Sequence, residues 1–349
     1  MTETAQLVDA FDARVRRREE RRDFFKAALG VAAVGAGGFV FASQAAAQSV
    51  TDNDILNFAL NLEYLEAQFY SYAFSGVGLA ANLLTGSGQQ GAVATSATNP
   101  PRAVNFTGDP LIRQYAREIF EDERAHVAFL RAALTSGTTT AFVAQPAINI
   151  NGDAAGPFTA AANSVGIDLT SRGGVFDPYA SPNDFLLGSY IFEDVGVTAY
   201  KGSSALIQSN AFLDAAAGIL ATEAFHSGII RGSLYARGVA LPELRTFADK
   251  LSDARDSVDG TTTTSATSTP QLFADDDQGI SPVQLPLTSS AGTTTATASN
   301  FVPTDANGIT FSRTAQQVLN VVYLNRAAVT LGGFFPNGVN GTIRTSAAN

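Results

Sequence analysis

Residues 221–230 read ATEAFHSGII and hold one of only two histidines in a chain of 349 residues, three positions after a glutamate. The other histidine lies in EDERAHVAFL, residues 121–130, again three positions after a glutamate, so Glu123 precedes His126 as Glu223 precedes His226. Eleven glutamates among 349 residues occupy about 3% of positions, so two independent histidines would both follow one at this distance about once in a thousand sequences. On a helix, residues three apart share a face, and E-x-x-H therefore aims a carboxylate and an imidazole at one point. A single such pair is most simply a solvated ion pair on a helix surface. Here each lies within an apolar stripe instead: Ile119, Phe120, Val127 and Leu130 around the first, Ile219, Leu220, Ile230 and Leu234 around the second. A carboxylate on a buried stripe is costly unless it is paired or bound to a metal ion, which turns both units into candidate metal ligands.

Working outward, apolar residues spaced three and four apart predict four long helices, at about 52–75, 109–135, 182–208 and 211–237, and a weaker fifth at 312–330. Asp52 and Asp54 mark the start of the first and Gly76 its stop, and Asp109-Pro110 opens the second. The third and fourth are separated by a few residues and are expected to be antiparallel neighbours, whereas 76–108 and 136–181 are long, small-residue loops. The inward stripe of the third helix holds one acid, Glu193, with Asp194 lying off it; the first offers Glu63 and Glu66. Glu63 precedes Tyr70 by seven residues and Glu193 precedes Tyr200 by seven, so the chain reads E-x6-Y, E-x-x-H, E-x6-Y, E-x-x-H. This is a duplicated helix pair, and four such helices converge carboxylates and imidazoles in a bundle core.

Glu63, Glu123, His126, Glu193, Glu223 and His226 form an oxygen and nitrogen set suited to two divalent first-row ions, Fe or Mn rather than Zn. The E-x-x-H glutamates would bridge the ions and Glu63 and Glu193 would each cap one. Glu66 stands as an alternative or addition to Glu63, which the tyrosine spacing favours. Tyr70 and Tyr200 are expected as hydrogen-bond partners of the ligands, with plain core packing as the alternative.

The stretches NFALNLEYLEAQFYSYA, EDERAHVAFLRAAL, FEDVGVTAYKG and ATEAFHSGIIRGSLYA resemble the ferritin-like superfamily of di-metal carboxylate bundles, and FSRTAQQVLNVVY with GGFFPNGVNG looks like its exported, desiccation-related type. The resemblance implies an all-α fold, a ferritin-like antiparallel four-helix bundle with long loop insertions and a C-terminal helix docked on it, and ligand roles for the same six residues. It also implies redox chemistry on dioxygen or hydrogen peroxide under oxidative or desiccation stress. A non-catalytic metal-binding or structural protein of the cell envelope is the other reading. No catalytic residue is expected beyond the metal ligands.

The expected organisation is a twin-arginine signal over 1–47, the bundle over 48–240, a Thr/Ser-rich extension over 241–310, and a C-terminal helix and tail over 311–349. ERRDFFK at 20–26, a glycine-rich apolar run of about sixteen residues and AAAQS carry the signal, and they imply export to the periplasm or beyond with no membrane contact after cleavage, an uncleaved anchor being the alternative. The formal charge of −10 becomes about −11 once the +1 of residues 1–47 is removed, which argues against nucleic acid and anionic lipid as partners. With no cysteine, thiolate metal sites and cysteine nucleophiles are excluded. A serine triad would have to borrow one of the two histidines, and GSGQQG at 86–91 lacks the lysine of a phosphate loop. The long loops leave a homo-oligomer open but argue against a closed ferritin cage.

Overall fold

In the computed structural model the structure describes residues 50–136, 139–260, 275–289 and 292–349. The export signal expected over 1–47 lies outside the described residues, as does part of the Thr/Ser-rich stretch. Among the described residues no helix is long and apolar enough to cross a membrane.

Four long helices form the bundle: α1 (Asp52–Ser75), α2 (Pro110–Ala133), α4 (Pro182–Ser204) and α5 (Asn210–Arg237), with the short α3 (Pro157–Ser164) between the pairs. The first starts where Thr51 and Asp54 close a reciprocal capping box and stops where Gly76 turns left-handed at φ 78°. Each pair is antiparallel. Arg131 of α2 donates to the Tyr64 hydroxyl of α1 while Phe120 stacks on Phe74, so rising numbers on one helix meet falling numbers on the other. In the same way Arg237 of α5 bonds Asn183 of α4, and Ser227 bonds Asp194.

The two pairs are unequal in burial. In α2 and α5 one stripe is buried, Ile112, Ala116, Ile119, Glu123, His126, Val127 and Leu130 in the first, in steps of three and four. In α1 and α4, by contrast, almost every face is covered. The cover is the long loops, which are a packed coat and not appended insertions. Asn57 on α1 donates to the Ala141 carbonyl and accepts from the Val143 amide, and Asn61 exchanges both its amide groups with Asn340 of the C-terminal tail. Phe158, Tyr179 and Phe185 surround Phe69 in one aromatic cluster, to which the tail adds Phe334 against Phe158 and Phe192.

The stretch expected as a Thr/Ser-rich extension holds regular structure. Helix α6 (Pro242–Asp259) buries Leu244, Phe247, Ala248, Leu251, Ala254 and Val258, a periodic stripe hidden in sequence by the charges between its members. An antiparallel hairpin follows, β3 (Val283–Ser289) against β4 (Gly292–Ala298) with Val283 opposite Ala298; a smaller one, β1 (Thr135–Ser136) with β2 (Thr139–Thr140), follows α2. The last helix, α7 (Ala315–Tyr323), is shorter than the 312–330 its pattern suggests, because Leu324 leaves the helix with φ 53°. It docks on α4 and α6.

Candidate metal centre

The inward stripes of α1, α2, α4 and α5 bring all six expected ligands together. Two donor sets form, each with its ligand atoms within 4.8 Å of one another: Glu63, Glu123, His126 and Glu223 in one, Glu123, Glu193, Glu223 and His226 in the other. Glu123 and Glu223 belong to both. His126 Nδ1 lies 3.2 Å from Glu63 Oε2, 3.6 Å from Glu123 Oε2 and 3.7 Å from Glu223 Oε1. His226 Nδ1 lies 3.0 Å from Glu123 Oε1 and 3.5 Å from Glu193 Oε2, and the two imidazole centroids are 6.4 Å apart.

Glu63, Glu123, Glu193 and Glu223 are all wholly buried. Both carboxylate oxygens of Glu123 and of Glu223, Glu193 Oε2 and His226 Nδ1 have no hydrogen-bond partner. Buried polar atoms are nearly always satisfied, and six orphans aimed at one centre match what cations would supply. An all-oxygen and imidazole donor set that shares two carboxylates fits a pair of divalent ions.

The tyrosines cross between the helix pairs. Tyr70 of α1 donates to Glu193 Oε1 of α4, and Tyr200 of α4 donates to Glu63 Oε1 of α1, so each hydroxyl fixes the carboxylate of the opposite half. A residue that sequence reasoning missed is Asp122, whose Oδ2 lies 3.2 Å from His226 Nε2. Its adjacency to Glu123 is the only signal it leaves, since the contact is made across to α5. It holds the imidazole with Nδ1 turned toward the carboxylates.

Glu66 is buried beside the centre but belongs to neither donor set. It and Glu223 converge on Gly196 of α4, where a Cβ would stand 2.3 Å from Glu223 Oε2 and 3.5 Å from Glu66 Oε1. The missing side chain of Gly196 is the space that Glu223 occupies. Glu66 and Gly196 also line a cavity of ≈ 20 Å³ walled by Leu62, Leu65, Val195 and Phe334, room for about one water-sized molecule. Asp194 is buried like its neighbour Glu193 but faces away, toward Arg231 and Arg255.

Without cations the charges strain against one another. Burial drives the Glu63 carboxyl up to about 7 against the opposing pull of His126. Burial, reinforced by Glu123, raises Glu66 and Glu223 well above the carboxylate range. Burial would raise Glu123 too, yet the two imidazoles against it hold it far below. His126, which burial would lower, is pushed to about 11 chiefly by Glu63, and His226 is raised further by Asp122, Glu123 and Glu193. The centre thus collects positive charge from the only sources present, its own histidines.

The geometry agrees with comparison against known proteins. A family model described as a ferritin-like domain matches residues 51–236, the span of α1 to α5. The chain belongs to the ferritin-like family. This ferritin-like protein is similar to the ferritin-like catalase Nec2 of Nesocodon mauritianus, with 27% identity over 298 residues and 84% of each chain covered. It is also similar to the desiccation-related protein PCC13-62 of Craterostigma plantagineum, with 24% identity over 296 residues and 83% of each chain covered. No solved structure matches it at a comparable significance.

Proposed function

We propose that this ferritin-like protein holds two Fe or Mn ions between its helix pairs and uses them to consume a small oxidant, hydrogen peroxide before dioxygen. The observation that carries the reading is the pair of donor sets joined by Glu123 and Glu223. A relative named as a catalase favours peroxide. Peroxide also needs no separate reductant: of two molecules, one loses two electrons and two protons to become dioxygen, and the other accepts them as its O–O bond breaks to give two waters. The ions would supply Lewis acidity and a store for the two electrons.

The chain's own groups do the rest. Glu123 and Glu223 would be shared by both ions, Glu63 with His126 would serve one and Glu193 with His226 the other. Tyr70 and Tyr200 restrain the outer carboxylates, and Asp122 orients His226. Glu66 faces the ≈ 20 Å³ cavity beside Glu223, placed to hydrogen-bond a small polar molecule there. We further propose that export by the twin-arginine route places this chemistry in the periplasm or outside the cell, under oxidative or desiccation stress; ERRDFFK and the name of the second relative support this.

Elemental analysis of unchelated protein tests the centre. About two Fe or Mn per chain are expected, lost in the His126→Ala/His226→Ala double variant. Metal-loaded protein should then release dioxygen from peroxide, and loaded protein with no turnover would refute the activity. The complete burial of the four carboxylates favours a second reading, a metal-stabilised structural protein of the envelope. Large thermal destabilisation by chelator, with no turnover of peroxide or dioxygen, would select it.

A further inference from the structure

Ala217, Ala221, Ala224 and Gly228 follow one another along α5 in steps of four, three and four, which makes a strip of small residues on one face of the helix. The strip faces away from the buried Glu223 and His226. Beside it lies the segment 300–313, which is fastened at both ends. Arg231 donates to the carbonyls of Asn300 and Phe301, the Arg313 amide bonds the Thr198 carbonyl, and Lys201 donates to the Ser312 hydroxyl. The ring of Phe301 rests on Gly232, where a Cβ would come within 2.3 Å of it. Between these fastenings the small residues leave a cavity of ≈ 520 Å³, walled also by Val197 of α4 and by Phe301, Pro303 and Phe311.

The cavity falls within the range of about 300–1,000 Å³ in which small-molecule sites lie, and its walls are chiefly apolar. Protein interiors are otherwise close-packed, so this lining forgoes contacts that a fitted molecule would restore. Phe225, which also lines it, is 74% exposed. Together with Phe301 and Val302, both exposed, it forms one apolar patch around the cavity, where a single exposed side chain would need no account.

The buried polar groups of the lining are answered within the protein, with one exception. Ser227 donates to Asp194, whose carboxylate also takes Arg231 and Arg255. The Thr198 hydroxyl bonds the Asp194 and Val195 carbonyls and accepts from Arg313. Asp276 has Oδ2 3.6 Å from Arg313, so its charge is met, but its Oδ1 has no hydrogen-bond partner although the residue is only 9% exposed. A buried acceptor left unsatisfied is costly, and because Arg313 already supplies the positive charge, a neutral donor suffices. An anion would instead meet Asp194 and Asp276.

From this cavity and its one unanswered acceptor we infer that the protein binds a small apolar alcohol or phenol, at a site separate from the metal centre. The hydrocarbon body lies on the alanine strip among Phe225, Phe301 and Phe311, and the hydroxyl donates to Asp276 Oδ1. The fastenings at Arg231 and Thr198 hold the walls in place before binding, which lowers the ordering cost. Helix α5 turns Glu223 and His226 to its other side, so the site is complete without metal.

The test titrates the full chain with 2-naphthol by calorimetry, with naphthalene as the analogue lacking the hydroxyl and 2-naphthoate as the anion. About one 2-naphthol per chain is expected. Naphthalene should bind at least about tenfold more weakly, because a hydrogen bond to a charged group is lost, and 2-naphthoate should not bind. Ala221→Trp should fill the cavity and abolish 2-naphthol binding, while Ala211→Trp, at an exposed position of the same helix outside the cavity, should bind as the parent does. Asp276→Ala should reduce the affinity for 2-naphthol to that for naphthalene. No saturable 2-naphthol binding, binding that survives Ala221→Trp, or equal affinity for naphthalene would each overturn the proposal. A dimer in light scattering that Ala221→Trp dissociates would give the cavity to a second copy and overturn it as well. Should Asp276→Ala fail to fold, as judged by circular dichroism, the two ligands and Ala221→Trp still decide the matter.

Discussion

Adding one methyl group at Gly196 should disable the metal centre while leaving the fold intact. In an unobstructed helix, Gly→Ala stabilises by about 1 kcal/mol. At Gly196 the new Cβ would stand 2.3 Å from Glu223 Oε2 and 3.0 Å from its Cδ, roughly 1 Å inside ordinary contact. Helix α4 is packed on every face, so the flexible end of Glu223 must give way, and Glu223 is one of the two carboxylates common to both donor sets. A displacement of this size costs on the order of 10²-fold where ligand geometry is demanding, about 3 kcal/mol for each ion. Gly218→Ala on α5 is the control, since nothing lies within 4 Å of its Cβ position. The assay is metal content by elemental analysis after dialysis, with thermal unfolding of the metal-free proteins. Gly196→Ala should lose most of its metal and unfold within a few degrees of the parent; Gly218→Ala should keep its metal and gain stability. Parental metal content in Gly196→Ala would refute the placement of Glu223 as a shared ligand.

Three further outcomes are expected. Tyr200→Phe leaves Glu63 Oε1 without its donor, which should weaken metal retention by about 10–100-fold in a competition titration with chelator; Tyr70→Phe should do the same through Glu193. For metal-free protein, Glu63 and Asp277 have folded pKa values raised to about 7 and His126 to about 11. Groups raised on folding contribute stability that is complete below their unfolded pKa and is lost as pH rises through the folded value, so Tm should fall steadily from pH 5 to 8. Glu63 alone is worth on the order of 3 kcal/mol across that window. A Tm that climbs over the same range without metal would contradict these assignments, whereas metal-loaded protein should show the climb, because ligands must shed protons to bind. Finally, Arg21→Lys/Arg22→Lys should leave the uncleaved precursor in the cytoplasm, measured by fractionation and mass; normal processing would remove the export proposal.

What the chain revealed in advance depended on how local each relation is. Glu123 with His126 and Glu223 with His226 were readable because both members ride one turn of one helix, and the stripes of Ile119 and Ile219 told which face was inward. Glu63 could be preferred to Glu66 only through the seven-residue spacing to Tyr70, yet the hydroxyl that reaches Glu63 belongs to Tyr200. Such a crossing is set by how two helix pairs dock, which no spacing within either pair encodes. Asp122 was missed for the same reason. Helix α6 was obscured differently: its stripe from Leu244 to Val258 is regular, but the charged residues between, and the threonine-rich run beyond, lowered the local hydrophobicity. The coat over α1 and α4 rests on single polar contacts such as Asn57 with Ala141 and Val143, joined across more than eighty residues, and leaves no periodic trace.

The exchanged tyrosines have a consequence for how the molecule comes together. Neither half of the duplicated chain owns a complete ligand environment: α1 and α2 lack Glu223 and the hydroxyl of Tyr200, and α4 and α5 lack Glu123 and the hydroxyl of Tyr70. Under the proposed function, a complete donor set therefore exists only after the halves have met in register, and metal occupancy would report correct assembly. Two copies of one half, meeting about a twofold axis, would trade the same groups symmetrically, so the repeated pattern and the crossed tyrosines are two expressions of one internal symmetry.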